Sequence, residues 1–386
     1  MITNLLVYKF MDTNYKRLES LDVLRGFDLF CLVALCGILH SLRPVIATSW
    51  YDSFLWNFSH VAWEGFSPWD LVMPLFMFMA GVSMPFSLSR YKDVPDKWAV
   101  YRRLVKRVFL LWIFGMMCQG NLLGLDPNRI YLYSNTLQSI ATGYLVSALL
   151  FLHVRPSVQV MTAFGLLIVY WLVMQFVSVD GYGGGDYTKE ANLAEWIDRM
   201  VLGRFRDGAV MDSGQVVFSD VYRYTWILSS LNFAVTVLTG VFAGQILKGK
   251  MDQKRKWQWL LGIGTVMVVS GWLWGLQLPV IKKIWTSSMV LVSSGYCFLL
   301  MGLFYYWIDY KGHKKYLSWL KVYGMNSIVA YMLANVVDFS CIGGSLFYGL
   351  GQYIGDWYAC LMKLSTALII YGILWGLHKH NIFLKV

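Results

Sequence analysis

The stretch Asn57–Met84 reads NFSHVAWEGFSPWDLVMPLFMFMAGVSM and changes character halfway along. Its first half holds a histidine, a glutamate and an aspartate among aromatic residues, and its second half is an almost continuous apolar run. Such a run is typical of a helix that crosses a membrane. Titratable groups at the mouth of a membrane helix are costly in lipid, which makes them candidates for a function.

The rest of the chain repeats this apolar pattern. Of its 386 residues, 57% are hydrophobic and only 14% are charged, too few to cover the surface of a soluble domain. The sequence therefore predicts an all-α integral membrane protein, a polytopic bundle of about ten transmembrane helices. The predicted spans centre near 21–41, 70–89, 104–122, 136–152, 157–177, 226–247, 258–277, 286–307, 323–342 and 356–376.

Basic residues indicate the orientation of this bundle. They cluster before Arg25 and in the connections 90–107, 248–256 and 311–321, which all lie on one side of a ten-span arrangement. Short cytoplasmic connections carry such an excess of Lys and Arg. Both termini are therefore predicted to be cytoplasmic and His60 to be extracytoplasmic. The net charge of +11 follows from this topology, so no nucleic-acid partner is expected.

We interpret residues 1–386 as a single transmembrane domain, with a cytoplasmic N-terminal segment at 1–20 and an extracytoplasmic loop at 178–225. Within that loop, NLAEWIDRMVLG predicts a short amphipathic helix, either a lid over a site or a helix lying on lipid. The six cysteines fall in or beside apolar runs without paired metal spacing, so they are interpreted as small buried hydrophobic residues and no metal is expected.

Two polar residues around the second span form a candidate catalytic pair. A histidine near neutral pKa is the usual proton acceptor when an amine or hydroxyl becomes a nucleophile, so His60 is either such a base or an interfacial histidine that is merely hydrogen-bonded. Asp70 follows Ser67 and Pro68, a pattern that favours a helix start. Its carboxylate either stabilises the first helical turn or orients His60.

Further polar residues lie near the predicted ends of other spans. Asp22 and Arg25 are three residues apart, so they share a helix face as an interfacial ion pair or as a phosphate-binding group. Asn326 opens the ninth span and lines either a helix interface or a cavity. Lys282 and Lys283 lie at the outer mouth of the eighth span, where they bind either an anionic or oxygen-rich substrate or lipid head groups.

Six stretches, taken in order, resemble the heparan-α-glucosaminide N-acetyltransferase family and its bacterial relatives. The two most specific are the H-x-x-W-x-G-x-x-x-x-D element that begins at His60 and the K-x-x-W-T-S-S element around Trp285. The six stretches are SLDVLRG, HVAWEGFSPWDLVMPLFMFMAGVSM, LQSIATGYLV, VTVLTGVFAGQIL, KKIWTSSMVLVSSG and GMNSIVAYM. The family usually has an asparagine where this chain has Cys36, and His40 is a candidate substitute.

The resemblance implies a membrane acyltransferase that takes acetyl from cytoplasmic acetyl-CoA and delivers it to an amino sugar or glycan on the far side. His60 would act as general base or carry the acetyl group itself, with Asp70 orienting it. Asp22, Arg25 and Asn326 would bind the donor. Residues assigned to substrate binding are Trp63, Glu64, Lys283, Trp285 and Ser287.

The remaining expectations concern the partners, the location and the alternative functions of the protein. The resemblance implies acetyl-CoA, a saccharide acceptor and membrane lipid as partners, and the sequence leaves a homodimer open. We expect a bacterial cytoplasmic (inner) membrane location. The alternatives are a multi-pass transporter or flippase of a glycan or lipid-linked substrate, which would show discontinuous helices in matched halves, and a non-catalytic scaffold.

Overall fold

A computed structural model describes residues 18–120, 126, 130–219 and 221–384. Most of these residues are helical. The α-helices are α1 (Glu19–Phe30), α2 (Cys36–Ser41), α3 (Ser49–Leu55), α4 (Val72–Leu88), α5 (Trp98–Cys118), α6 (Thr136–His153), α7 (Pro156–Phe176), α8 (Leu193–Leu202), α9 (Ser229–Lys248), α10 (Gln253–Gly275), α11 (Ser287–Phe304), α12 (Ser318–Met325), α13 (Ser327–Val336), α14 (Ser340–Phe347), α15 (Gly351–Ile354) and α16 (Trp357–Lys379).

Shorter elements connect or interrupt these helices. Two π-helical segments, Cys31–Leu35 and Tyr305–Tyr310, continue α1 and α11. Single 3₁₀ turns are found at Trp56–Phe58, Pro68–Leu71, Ser89–Tyr91, Gly203–Phe205 and Tyr348–Leu350. Two antiparallel hairpins pair β1 (Ser178–Val179) with β2 (Tyr182–Gly183) and β3 (Ala209–Asp212) with β4 (Gln215–Phe218).

The chain divides into two compact units. The terminal unit combines the residues up to His60, Ser67–Val72 and the residues from Leu303 onward. The central unit combines Val61–Phe66 with Met73–Gly302. A single functional domain over 1–386 stays a prediction. Residues 1–17 of the predicted cytoplasmic segment 1–20, including Lys9, Lys16 and Arg17, lie outside the described residues.

In the terminal unit, α1 packs against α12 with almost no side chain between them. A Cβ added at Gly26 would lie 1.8 Å from the Leu320 carbonyl oxygen, and one added at Gly324 would lie 1.9 Å from that of Asp22. Small residues allow this backbone approach, as is common between membrane helices. Helix α16 contacts α2, α12 and α14, so the first and last helices share one bundle.

The central unit is built in the same way. Helix α9 contacts α6, α7 and α10, and α5 contacts α6. Gly81 on α4 and Gly240 on α9 form the closest approach: a Cβ at Gly81 would lie 2.0 Å from the Val237 carbonyl oxygen. One at Gly240 would lie 2.0 Å from that of Phe78. Residues larger than glycine would separate these two helices.

In the part of the chain that the structure describes, seven helices are long and apolar enough to cross a membrane. An eighth results if α13 and the residues Ser340–Ile354 count as one span, although they are bent by 65°. Helices α5 and α10 occupy two further predicted spans, and α5 begins with four basic residues between Arg102 and Arg107. The multi-span helical architecture is thus confirmed, whereas the count of about ten and the sides of the termini stay predictions.

The predicted ninth span, 323–342, is not one continuous helix. The helix is interrupted at Asn326, whose backbone leaves the helical region (φ −120°, ψ 43°), and it bends again after Val336. Asp338 then accepts hydrogen bonds from the backbone N–H of Ser340 at 2.9 Å and from its hydroxyl at 2.5 Å. Short polar side chains that bond to the nearby backbone stabilise a new helix start, which the hydrophobic pattern alone does not register.

The predicted loop 178–225 is ordered in the described residues and belongs to the central unit. Its amphipathic helix is present as α8, and Asn192 caps it by accepting a hydrogen bond from the Glu195 N–H at 2.9 Å. Leu193 and Ala194 are buried in a cluster with Tyr170 of α7 and with the 281–284 segment. The first turn of α8 is therefore buried against protein, whereas Met200 and Val201 near its end are 66% and 62% exposed. Whether α8 is a lid over a site or lies on lipid stays a prediction.

Candidate active site

Asp70 is fixed by the helical turn that precedes α4. Pro68 occupies its first position, and Ser67 and Asp70 form a capping box. The Ser67 N–H donates to Asp70 Oδ2 at 3.1 Å. The Ser67 hydroxyl lies 3.0 Å from Oδ2 and 2.6 Å from the Ser59 carbonyl oxygen, so one proton is shared between two acceptors. The sequence-predicted helix start is confirmed, and it holds the carboxylate in one orientation.

His60 is bonded to the other oxygen of that carboxylate. Its Nδ1 lies 2.7 Å from Asp70 Oδ1. An ionised carboxylate only accepts hydrogen bonds, so Nδ1 carries the proton and the neutral imidazole has its lone pair on Nε2. The Asp70 side chain is 2% exposed, whereas that of His60 is 48% exposed. A buried carboxylate thus orients a half-exposed imidazole, the arrangement of a base and its positioning group.

A concave pocket of about 660 Å³ opens beside His60. This volume lies within the usual range for small-molecule sites, roughly 300–1,000 Å³. All residues that line it belong to the terminal unit: Cys36, Gly37, His40, Ser41, Phe58, Ser59, His60, Trp69 and Lys363.

Four of these residues come from the segment that follows the first π-helical segment. His40 Nδ1 donates to the Cys36 carbonyl oxygen at 3.0 Å, and its Nε2 lies 3.4 Å from the Ser59 hydroxyl. The Cys36 thiol donates to the Phe58 carbonyl oxygen at 3.6 Å. Single π turns inside α-helices are frequent at functional sites, because they change which side chains face a cavity. Sequence reasoning noted His40 only as a substitute and did not assign Cys36 to a site.

Lys363 was also missed. The sequence indicated only that it lies inside the last span, where its long side chain could reach the interface. In the structure it lines the pocket, and its Cδ would lie 3.6 Å from a Cβ added at Gly37. Nothing in the local sequence around Lys363 signals this position, because it depends on the packing of α16 against α2.

The residues predicted to bind the donor lie elsewhere in the terminal unit. Arg25 Nη1 is 4.0 Å from Asp22 Oδ1, so the predicted pair is present. Asn326 is 1% exposed, and its amide donates to the Ile382 carbonyl oxygen at 3.0 Å and accepts from the Leu384 N–H at 3.2 Å. Asn326 thus holds the C-terminal segment. Donor binding by these three residues stays a prediction.

Two predicted substrate-binding residues, Trp63 and Glu64, lie in the central unit. The Trp63 indole donates to the Tyr187 carbonyl oxygen at 3.0 Å, and its ring packs edge-on against Tyr222 at 4.6 Å between centroids. Glu64 is exposed and forms an antiparallel bridge with Ile281. This short segment is therefore braced against the ordered loop and the 280–281 segment. A role in substrate binding stays a prediction for both residues.

The other three residues predicted to bind substrate are buried or half-buried. Trp285 is fully buried, its indole donates to Thr236 Oγ1 at 3.1 Å, and its carbonyl accepts from the Asn232 amide at 2.7 Å. The Ser287 hydroxyl is also buried and donates to the Leu167 carbonyl oxygen. Lys283 is half-buried, and desolvation, with the neighbouring cations of Lys189 and Arg223, lowers its pKa. Of the three, Lys283 has the chemistry that binding an anionic group requires.

The loop carries a second set of buried charges, which the sequence did not signal. Asp198 accepts from the backbone N–H groups of Trp226 at 2.8 Å and Ile227 at 2.9 Å. Burial raises its pKa to about 7, against the opposing effect of those donors and of Arg206. Arg206 is 3% exposed and pairs with Glu195. Burial likewise raises the pKa of Asp207 to about 6.

Within the residues that the structure describes, no group of three or more His, Cys, Asp or Glu side chains is arranged to hold a metal ion. The side chains that line the pocket offer several functional groups. These are an oriented imidazole, a second imidazole, a thiol, hydroxyls and an ammonium group.

Known proteins share these sequence features. Residues 17–197 match the family model described as "Heparan-alpha-glucosaminide N-acetyltransferase, catalytic". The Homo sapiens protein "Heparan-alpha-glucosaminide N-acetyltransferase" is 27% identical over 364 residues, which cover 82% of this chain and 52% of that protein. The Mus musculus protein of the same name is 26% identical over 370 residues, which cover 83% and 54%.

The chain thus spans about half the length of these curated relatives, although most of the chain is matched. The matched region includes the His60–Asp70 pair and the segment from Cys36 to Ser41 that lines the pocket. The resemblance of this multi-pass membrane protein to the heparan-α-glucosaminide N-acetyltransferase family is therefore confirmed.

Proposed function

We propose that this chain is a membrane acetyltransferase that moves acetyl from the thioester of acetyl-CoA to an amino sugar or another glycan. The observation that carries the proposal is the 2.7 Å contact between Asp70 and the imidazole of His60, at the mouth of a 660 Å³ pocket. The names of the relatives support the same reaction class. Because the chain spans half of their length, their acceptor is not carried over.

His60 acts as general base in the simplest form of the reaction. Its Nε2 accepts the proton of the acceptor amine or hydroxyl while the acceptor atom forms a bond to the acyl carbon. The bond between that carbon and the CoA sulfur breaks, and the proton passes from Nε2 to the departing sulfur, so that CoA leaves as the thiol. Asp70 holds Nδ1 protonated throughout and stabilises the imidazolium that forms.

A second route uses the same atoms in two steps. Nε2 attacks the acyl carbon and the carbon–sulfur bond breaks, so CoA leaves as the thiolate and an acetyl-imidazolium forms. The acceptor then attacks the acetyl carbon, the bond from that carbon to Nε2 breaks, and the acceptor's proton passes through Nε2 to the CoA thiolate. The accessible imidazole supports either route. They differ in one measurable respect: only the second accumulates an acetylated protein when donor is supplied without acceptor. Mass spectrometry of protein quenched with acid, for wild type and His60→Ala, distinguishes them.

The donor is proposed to enter from the cytoplasm. Arg25 would provide a cation for its phosphates, and Asp22 would hold Arg25 in place. On the predicted topology His60 faces the opposite side, so the acetyl group would cross the membrane within the protein. We place the protein in a bacterial cytoplasmic membrane, acting on a cell-envelope or scavenged glycan.

The test is turnover of acetyl-CoA, labelled in its acetyl group, by purified protein in detergent with a panel of amino sugars and glycans. His60→Ala should lower transfer by about 100-fold or more, the usual contribution of a general base, and leave melting and CoA binding unchanged. His313→Ala is the matched control, since this exposed histidine does not line the pocket; it stacks on Trp307 and donates from Nδ1 to the Trp307 carbonyl oxygen at 3.3 Å. Undiminished transfer by His60→Ala would remove His60 from the mechanism.

One observation bears on the alternative of a transporter or flippase. Helix α13 and the residues Ser340–Ile354 form a span bent by 65°, and broken helices are common in transporters. Within the described residues, it is the one pair broken in this way, whereas inverted-repeat transporters have matched pairs. Liposomes that move a labelled glycan across the membrane without acetyl-CoA would favour the transporter.

A further inference from the structure

A second cavity lies in the central unit, and none of the residues assigned above to transfer lines it. It is a groove of about 940 Å³ lined by α7, α9, α10 and α11. The lining is almost entirely apolar, and its one charged residue is Arg255. We propose that this groove binds an anionic glycerophospholipid, with one acyl chain along α10 and its phosphate at Arg255.

The groove follows one face of α10. Arg255, Trp259, Gly262 and Val266 recur at intervals of three or four residues, so they form a continuous stripe that continues to Met267. From Arg255 to Met267 the helix rises about 18 Å. Half of a bilayer's hydrocarbon core is about 15 Å thick, so the groove has the depth of one leaflet.

The depth selects among lipids. A diacyl phospholipid places its phosphate at the interface and its chains within one leaflet, which matches a groove with a cation at one end only. A polyprenyl phosphate has a much longer tail and would extend beyond Met267. We therefore commit to a phospholipid rather than to a lipid-linked glycan carrier.

Arg255 has the chemistry for the phosphate. It is exposed, and no hydrogen bond or ion pair to any other described residue occupies its guanidinium. It lies in the first turn of α10, where the helix dipole also favours an anion. A guanidinium binds two phosphate oxygens at once, and a second polar side chain, Gln258, lies on the same lining.

Gly262 deepens the groove at its middle. A Cβ added there would meet no atom within 4 Å, so the space is open and a side chain can enter it without distorting the helix. Trp259 lies between Gly262 and Arg255 and is 56% exposed, which suits an aromatic residue near the interface. A chain that lies over Gly262 would therefore pass within contact distance of the Trp259 ring.

The experiment uses delipidated full-length protein in detergent, titrated with phosphatidylglycerol, phosphatidylcholine of the same chains, or undecaprenyl phosphate, and measured by native mass spectrometry. Wild type should retain at least about fivefold more phosphatidylglycerol than phosphatidylcholine. Arg255→Gln should remove that preference, and Gly262→Phe should remove the bound lipid by filling the groove.

Two matched controls should behave as wild type. Lys254→Gln removes the neighbouring cation, which does not line the groove. Gly165→Phe adds the same side chain to α7, at another glycine whose Cβ would meet nothing within 4 Å. Quenching of tryptophan fluorescence by a brominated-chain phosphatidylglycerol locates the chain, and Trp259→Phe should abolish most of the quenching that the lipid causes.

Four results would overturn the proposal. Equal retention of phosphatidylcholine would make the groove ordinary lipid-facing surface, and preferred retention of undecaprenyl phosphate would assign it to a lipid-linked carrier. Unchanged binding by both Arg255→Gln and Gly262→Phe would locate the lipid elsewhere. A dimer that Gly262→Phe converts to monomer would assign the groove to a second copy of this chain.

Discussion

Asp70 and Asp198 are both buried carboxylates, yet their surroundings differ in one respect. Asp70 is hydrogen-bonded to Ser67 on one side and to a half-exposed imidazole at a pocket on the other. Asp198 is bonded to two backbone N–H groups just before α9, and its neighbours Glu195 and Arg206 are buried as well. The Asp70 network thus includes a half-exposed imidazole beside a pocket. Among the described residues, the hydrogen bonds of Asp198 go to backbone N–H groups.

This difference distinguishes a candidate catalytic group from a hydrogen-bond network that stabilises the fold. Buried charges and shifted pKa values occur in structural ion-pair networks as well as in active sites, so burial alone does not identify a function. An accessible titratable group, oriented by a buried one, can exchange a proton with a substrate. Asp198 has no such group at the end of its hydrogen bonds and instead ties α8 to the start of α9.

Asp70→Asn is the largest expected change. The amide no longer favours the Nδ1–H tautomer and cannot stabilise an imidazolium, so transfer should fall about 100-fold with a small change in melting temperature. The labelled-acetyl assay beside a melting curve measures both. If the loss of transfer were explained by a lower melting temperature and less folded protein, Asp70 would have a structural role like that of Asp198.

Asp198→Asn should show the opposite profile. Asp198 accepts from the Trp226 and Ile227 N–H groups on separate oxygens, and an amide has only one oxygen. One N–H would lose its acceptor, so the free energy of unfolding should fall by about 1–2 kcal/mol. Turnover per folded molecule should remain within about twofold of wild type. Thermal melting and the same transfer assay test it, and a selective loss of turnover would contradict a purely structural role for Asp198.

The raised pKa values of two carboxyl groups in the 178–225 loop predict that the stability of the protein depends on pH. The pKa of Asp198 is raised to about 7 and that of Asp207 to about 6, whereas an unfolded aspartate titrates near 4. Between these values the folded chain holds protons that the unfolded chain has lost. The free energy of unfolding should therefore fall as pH rises from about 4 to 7, by about 1 kcal/mol between pH 6 and pH 7.

Melting curves between pH 5 and pH 8 check this direction, with Asp198→Asn as the control. The variant should show a shallower decline because it has one fewer group to titrate. A wild-type melting temperature that rises with pH through this window would mean that Arg206 and the backbone donors outweigh burial.

Ser67→Ala is the smallest expected change. It removes the hydroxyl shared between Asp70 and the Ser59 carbonyl but keeps the N–H that also holds Asp70. Transfer should fall about threefold, and the unfolding free energy should change by less than about 1 kcal/mol. A fall as large as that of Asp70→Asn would mean that the hydroxyl, rather than the N–H, fixes the carboxylate.

Much of the fold and the His60–Asp70 pair could be predicted from the sequence because both depend on local patterns. Apolar runs of about 20 residues indicate helices that cross a membrane. Ser67 and Pro68 before Asp70 are residue types that favour the start of a helix. The motif that begins at His60 led to the family. The amphipathic segment that became α8 was equally readable from its periodicity.

The rest depends on contacts between distant parts of the chain. Lys363 reaches the pocket only because α16 packs against α2. Trp285 and Ser287 belong to a specific motif, but both are buried and bonded to distant helices, Trp285 to α9 and Ser287 to α7. The sequence around Asn326 allowed it to line a cavity. Its hydrogen bonds to Ile382 and Leu384 depend on the position of the C-terminal segment, which the local sequence does not indicate.

The π-helical segment Cys31–Leu35 has a consequence for comparing this chain with its relatives. A π turn bonds each carbonyl to the fifth residue onward instead of the fourth, so it accommodates one more residue than an α turn of the same path. A relative whose helix is regular here would need a one-residue gap in any alignment. The counterpart of Cys36 then shifts by one position, and with it the residue thought to replace the family's asparagine.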